Sequence, residues 1–212
     1  LCRHMKVLYR QGGRQTPQHC TVRSYHKFSP LHYICNLMSI LSKNNTEEMV
    51  ILVDSNDVAK GEMEKQQAHE NGGMRHRAFS IFIFNSKGEV LLQQRANHKY
   101  HSGGLWTNTC CSHPRPNETV LDAAARRLRE EMGMTCLGME CQFKFEYKAE
   151  LDNGMTEWEI DHVIFGTTDN LPTLNRDEVQ DFKYVSLSDL DKNIKDKPEN
   201  YTAWLKDCFS KV

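Results

Sequence analysis

Residues Ser112 to Met134 read SHPRPNETVLDAAARRLREEMGM. Leu121, Ala124, Ala125, Leu128 and Met132 recur near helical spacing, which predicts a helix from Thr119 to Met132 closed by Gly133. The same helix carries Arg126, Arg127, Glu130 and Glu131. Carboxylates on one face of a helix hold a hard divalent cation, and such a cation bridges phosphate oxygens.

The stretch closely resembles the Nudix box, whose pattern is Gly, five residues, Glu, seven residues, then Arg-Glu-apolar-x-Glu-Glu-x-Gly-apolar. Glu118, Arg126, Leu128, Glu130, Glu131, Gly133 and Met134 fall in register. Two positions depart from it: Ser112 stands where the box has Gly, and Arg127 where it has its first paired Glu. A guanidinium cannot ligate a cation but binds phosphate oxygens as a fork. The exchange argues for holding a diphosphate rather than cleaving it.

Around this helix the pattern is regular from Met49 onward. Val50 to Val53 reads as a buried strand followed by a turn at Asp54 to Asp57. Ala78 to Phe84 is a second strand, and beyond the Asn85 to Gly88 turn Glu89 to Arg95 returns as its hairpin partner. Phe143 to Ala149 and Trp158 to Phe165 are strands linked by an Asp152-Asn153-Gly154 turn, and Phe182 to Val185 is a last short strand before a helical tail. Strands and helices alternate without internal repeats. The expected fold is α/β (α+β), a Nudix-type domain with a mixed β-sheet packed between helices.

The charge is uneven. Residues 1–46 hold seven Lys or Arg and no acid, so the remainder sets 20 basic residues against all 28 acidic ones. So acidic a domain is a poor nucleic-acid binder, and an anion must be met by a local basic cluster or a metal. No apolar run reaches the length of a membrane span. The eight cysteines show no CxxC pair or spaced framework, which points to reduced thiols. Residues 1–48 form a basic, acid-poor extension, read either as disordered or as transit-like, ahead of a 49–212 catalytic domain.

His69, His76 and His113 occupy informative places, and Glu157 and Glu159 alternate on a strand, so both point to one face. Three imidazoles and two carboxylates suit a closed site for Mn, Zn or Mg. Spacing alone leaves open whether they meet. The segments Ala68-His69, Arg75 to Ser80, Trp106 to Pro114 (WTNTCCSHP) and Glu157-Trp158-Glu159 resemble type I isopentenyl-diphosphate Δ-isomerase, from about Val50 to Trp204. That family has the Nudix fold without being a hydrolase.

The resemblance implies a metal site of His69, His76, His113, Glu157 and Glu159 for Mn2+, Zn2+ or Mg2+, and Mg2+ held on the diphosphate through Glu131; no flavin is expected. It implies Cys111, rather than Cys110, as the catalytic cysteine, with Glu159 and Tyr147 as its acid-base counterpart. Lys65, Arg95, Lys99, Ser112 and Arg127 match the residues around the diphosphate. Trp204 matches an active-site tryptophan, although Ala203 replaces the proline usually before it. The chain ends sooner after Trp204 than the family leads one to expect, so closure of the pocket is a question for the structure.

The implied reaction is the 1,3-allylic shift of isopentenyl diphosphate to dimethylallyl diphosphate in isoprenoid biosynthesis. An unactivated alkene then needs an acid and a base on opposite faces. The favoured order has Glu159 with Tyr147 donating and Cys111 removing the proton; the reverse order stays open. A Nudix hydrolase of a nucleoside diphosphate derivative and a non-catalytic diphosphate-binding module are the alternatives. The expected protein is a cytoplasmic monomer with a small-molecule diphosphate substrate, no nucleic-acid partner and no membrane partner. A mitochondrion or plastid, through the extension, or a peroxisome, through Ser210-Lys211-Val212, are the other locations.

Overall fold

The computed structural model describes residues 49–151 and 154–212. The extension over residues 1–48, a short helix expected at Leu31 to Leu41, and residues Asp152 and Asn153 of the expected turn lie outside the described residues.

The central strand is β3 (His76–Phe84), in which alternation sends Phe79, Ile81 and Ile83 to one core and Phe82 to the other. Both faces are therefore apolar, as a strand covered on two sides requires. Strand β8 (Thr156–Thr167) lies parallel to β3 along its whole length, from His76 opposite Glu159 to Phe84 opposite Thr167. Strand β7 (Glu140–Glu150) continues beyond β8 in antiparallel register.

The other edge of β3 is shared. It meets β1 (Met49–Val53) at His76, β6 (Cys110–Ser112) at Phe79 to Ile81, and β4 (Val90–Arg95) only at Phe84. The expected hairpin forms at its turn, where Phe84 pairs with Val90, and the two strands then part. β4 instead pairs with β9 (Val179–Val185) and β5 (Trp106–Thr107). A two-residue period identifies strands but not their partners, and β6 and β1 take up the rest of that edge. The region between the parted strands is where the candidate site lies.

Helix α2 (Val120–Met132) follows the expected boundaries within a residue. Thr119 Oγ1 caps it by accepting from Asp122 N at 3.1 Å, and Gly133 ends it at φ +61°, where a side chain would meet the Thr173 carbonyl. Ala123, Ala124, Leu128 and Met132 bury against Phe79, Ile81 and Leu91. Leu121, expected on that face, is exposed at 42%, because Ala123 takes the inward position in the first turn.

Strand β2 (Ala59–Glu64) and helix α1 (Lys65–His69) were not anticipated. β2 is an exposed edge strand with little apolar pattern, and α1 is only five residues long, too short for a period to show. The expected helical tail is two helices, α3 (Leu187–Asp196) and α4 (Ala203–Phe209), separated by a 3-10 turn at Pro198. Leu190 and Leu205 pack with Phe82, Val90, Leu92 and Val163 on the face opposite α2. The mixed sheet is thus packed between helices, as expected. No helix among the described residues is long and apolar enough to cross a membrane.

Candidate active site

Sheet register builds the centre of the site. Glu159 on β8 has His76 as its neighbour on β3 and Tyr147 as its neighbour on β7, so these side chains share one face. Glu159 Oε1 lies 3.0 Å from His113 Nε2 and 3.3 Å from His76 Nε2. Its other oxygen, Oε2, accepts from the Tyr147 hydroxyl at 2.6 Å. One carboxylate therefore faces the imidazoles with one oxygen and the phenol with the other.

His69 comes from the end of α1, which Glu64 caps by accepting from Gln66 N and Gln67 N. His69 Nδ1 lies 2.6 Å from the Lys65 carbonyl, and His76 Nδ1 lies 2.7 Å from the Met74 carbonyl. Each carbonyl fixes a proton on Nδ1 and leaves Nε2 free as a ligand atom, the arrangement usual around metal-bound histidine. His69, His76, His113 and Glu159 each offer an atom within 4.8 Å of the others, a group that can hold a metal ion. His76 Nε2 and His113 Nε2 are 3.1 Å apart, so two lone pairs face each other unless a cation or a proton lies between. Burial drives His113 down to about 3, which keeps its imidazole neutral and ready to ligate.

Of the five expected ligands, four converge. Glu157 is beside the group, but its Oε2 lies 3.0 Å from the Tyr147 hydroxyl. Burial, helped by the Glu159 charge, raises Glu157 well above the usual carboxylate range. Burial would raise Glu159 too, but the His113 and His76 rings beside its Oε1 prevail and hold it well below that range. Burial also pushes the Tyr147 phenol far up.

Cys110 and Cys111 part company on β6. Cys110 pairs with Ile81 and is fully buried in the core beneath α2, whereas Cys111 pairs with Ser80 and lines the cleft. Burial raises the Cys111 thiol, and the nearby Arg95 charge works in the opposite sense.

The cleft is open to solvent. Every other expected binding residue lines it: Lys65, Arg95, Lys99, Ser112, Arg127, Glu131 and Trp204. Arg127 donates to Glu130 at 2.9 Å and to Glu131 at 2.6 Å, and Gln93 donates to Glu131 at 3.0 Å. Glu118, in register with the Nudix box, instead clasps Arg126 with both oxygens, at 2.7 and 2.8 Å, and caps Arg115 N. It fixes the loop before α2 and does not line the cleft.

Trp204 is 2% exposed despite the alanine before it. Thr202 caps α4, its hydroxyl donates to Thr107 at 3.0 Å, and its amide donates to the Trp106 carbonyl at 3.0 Å. These bonds seat α4 and place Trp204 at the cleft. The Arg95 guanidinium stacks on the indole at 5.2 Å, and the His101 ring meets it edge-on at 5.9 Å.

Among the lining residues that the sequence reading did not single out are Ser80, Gln93, Tyr100, His101 and Glu178. His101 and Glu178 lie in loops, where no period marks them. Asp161, behind the cleft, did carry a signal, since it continues the Glu157, Glu159 alternation. It accepts from the Ser80 hydroxyl at 2.8 Å, and burial with the Glu159 charge raises it to about 8.

The fold and the altered helix define a class. The family model for the NUDIX domain matches residues 74–205, well over half of the chain. A Deinococcus radiodurans protein superposes with a TM-score of 0.64 at 18% identity, covering 77% of this chain and 98% of its own. A MutT NUDIX hydrolase from Burkholderia pseudomallei gives 0.53 at 18% identity, covering 66% and 98%; both likenesses concern the fold alone. Among curated proteins, the isopentenyl-diphosphate Delta-isomerase of Pectobacterium atrosepticum is 50% identical over 77% of this chain and 90% of its own length. Isopentenyl-diphosphate Delta-isomerase 2 of Aromatoleum aromaticum is 51% identical over 78% and 87%. This chain belongs to the isopentenyl-diphosphate Delta-isomerase family.

Proposed function

We propose that this protein interconverts isopentenyl diphosphate and dimethylallyl diphosphate, with Glu159, Tyr147 and Cys111 as its catalytic residues. The observation that carries the reading is the double-facing Glu159 carboxylate, set in one cleft with Cys111 and four cationic side chains. The reaction adds a proton at one carbon of the alkene and removes one from another, so it needs two proton-handling groups around a flat hydrocarbon. Tyr147, backed by Glu159, delivers the first proton, and Cys111 takes the second as its thiolate, the form that the Arg95 charge favours against burial. Lys65, Arg95, Lys99 and Arg127 grip the diphosphate, with the Ser112 backbone beside them. That remote end contributes binding energy that positions the alkene. Trp204 shields the developing cation from water.

His69, His76, His113 and Glu159 fit a divalent metal, with Glu157 as the adjoining fifth group, and Mn2+, Zn2+ and Mg2+ are the ions compatible with that donor set. A cation bound there supplies Lewis acidity to the Glu159 carboxyl. Glu131, accepting from Arg127 and Gln93, is the residue for Mg2+ on the diphosphate. We assign the protein to the cytoplasm, as a monomer without a nucleic-acid or membrane partner.

Incubation of metal-loaded protein with isopentenyl diphosphate in deuterated water tests the reading. NMR should find deuterium in dimethylallyl diphosphate with the native protein and none with Cys111→Ala. Unlabelled, unchanged substrate would sink it, and release of inorganic phosphate from nucleoside diphosphate derivatives would point to hydrolysis instead.

A further inference from the structure

The cationic wall contains a carboxylate that no binding role accounts for. Lys65, Arg95, Lys99 and Arg127 line one cleft. Like charges so placed repel and move apart into solvent unless something ties them. Glu178, just before β9, lines the main cleft and the adjoining one beneath α2. Its Oε2 accepts from Lys99 Nζ at 2.5 Å, and its Oε1 lies 3.4 Å from Arg127 Nη2. Its backbone is pinned as well: its carbonyl accepts from Ala96 N at 2.9 Å, and its amide donates to the Asn175 carbonyl at 3.0 Å.

We propose that Glu178 is a positioning residue for diphosphate binding, holding Lys99 and Arg127 at the separation the ligand meets. This rests on the diphosphate reading of the cleft. Lys99 lies on the loop from Ala96 to Gly104, whose next residues, Tyr100 and His101, pack against Lys65 and Trp204. Arg127 lies on α2 and has Glu130 and Glu131 as further partners. Glu178 links these two elements through charge. Its anchored backbone prevents the carboxylate from following either cation, so the cations are set by the fold rather than by the ligand. The alternative role for an acid here is simple opposition to the incoming anion. The two roles predict opposite signs.

The test compares the full chain with Glu178→Gln, Glu178→Asp, Lys99→Met and the Gln/Met double variant, with metal loading and thermal melting matched. Calorimetry measures binding of magnesium pyrophosphate, and steady-state kinetics use isopentenyl diphosphate. Glu178→Gln should raise both the pyrophosphate Kd and the KM about tenfold while kcat stays within about threefold. Glu178→Asp should recover part of the loss. Lys99→Met leaves the Glu178 backbone anchors in place, should weaken the same two constants, and should not add fully to Glu178→Gln. Equal or tighter pyrophosphate binding by Glu178→Gln, full additivity, or a fall in kcat at unchanged KM would each overturn the proposal. A native protein that neither binds pyrophosphate nor isomerises the substrate would instead remove the diphosphate reading, and this inference with it.

Discussion

The Tyr147 hydroxyl lies 2.6 Å from Glu159 Oε2 and 3.0 Å from Glu157 Oε2, yet it carries only one proton. It can donate to one carboxylate while the other carboxyl supplies a proton of its own. Burial and the Glu159 charge make Glu157 the protonated member, whereas His113 and His76 keep Glu159 ionised against the effect of burial. A hydrogen-bonded row of Glu157, Tyr147 and Glu159 results, with the phenol in the middle facing the cleft.

Removing that hydroxyl should therefore affect chemistry more than binding. Tyr147→Phe is expected to lower kcat by about 10²–10⁴-fold with KM little changed, the range for loss of a positioned acid or base. Steady-state kinetics check it, and an equal rise in KM would contradict it.

The adjacent cysteines should separate cleanly. Cys111→Ala is expected to abolish isomerisation while leaving stability close to native. Cys110→Ala, in a fully buried position beneath α2, should keep activity and lose about 1–2 kcal/mol in urea unfolding, the scale of a small core truncation.

Chelation should destabilise the protein as well as silence it. The donor set of His69, His76, His113 and Glu159 is buried or nearly so, and a cation bound there would neutralise the Glu159 carboxylate. A metal that binds only the folded state at 100 times its Kd contributes about 2.7 kcal/mol. The melting temperature should therefore fall on chelation and recover on adding metal back. In His113→Ala it should start low and respond weakly to metal.

A second polar cluster, remote from the cleft, sets an acid limit on stability. Asp57, at φ +66°, accepts from Arg77 Nε at 2.7 Å and Lys144 Nζ at 3.2 Å, and its Oδ2 lies 2.9 Å from His162 Nε2. Burial would raise Asp57, but the Arg77 and Lys144 hydrogen bonds hold it below its ordinary value; burial lowers His162 in spite of Asp57. Both groups are depressed in the fold, so the unfolded chain binds more protons in acid. Their contribution is fully present above the ordinary histidine value near ~6.5. It declines first as His162 becomes protonated and again below ~3.9 as Asp57 does. Urea unfolding across pH should show the advantage of the native protein over Asp57→Asn falling away below ~3.9, where Asp57 becomes protonated; a constant difference through that range would refute the account.

Gly133→Ala should cost more than about 1 kcal/mol, since φ is +61° and the added Cβ would lie 2.5 Å from the Thr173 carbonyl oxygen. Thermal melting checks this, and a neutral change would mean that the Thr173 segment moves aside.

The sequence by itself determined what depends on neighbours along the chain. Helix α2 and its closing glycine follow from a 3.6-residue period and a left-handed cap, and Glu157 with Glu159 on one face follows from the two-residue period of a strand. Cys111 was singled out over Cys110 by family resemblance, not by spacing. Family resemblance extended the reading to His69, Lys99 and Trp204, whose spacing alone says nothing. Tertiary structure decided the remainder. The β3–β8 ladder sets His76 beside Glu159 across 83 residues of sequence, and the β7–β8 ladder brings Tyr147 to its other side. On the opposite edge of β3 the β3–β4 hairpin stops beside its turn, and β6 and β1 take the rest of that edge, a choice that local periodicity does not encode. Glu178 and His101 reach the cleft from loops, placed by backbone bonds to distant strands and by packing, so only the folded chain shows that they belong there.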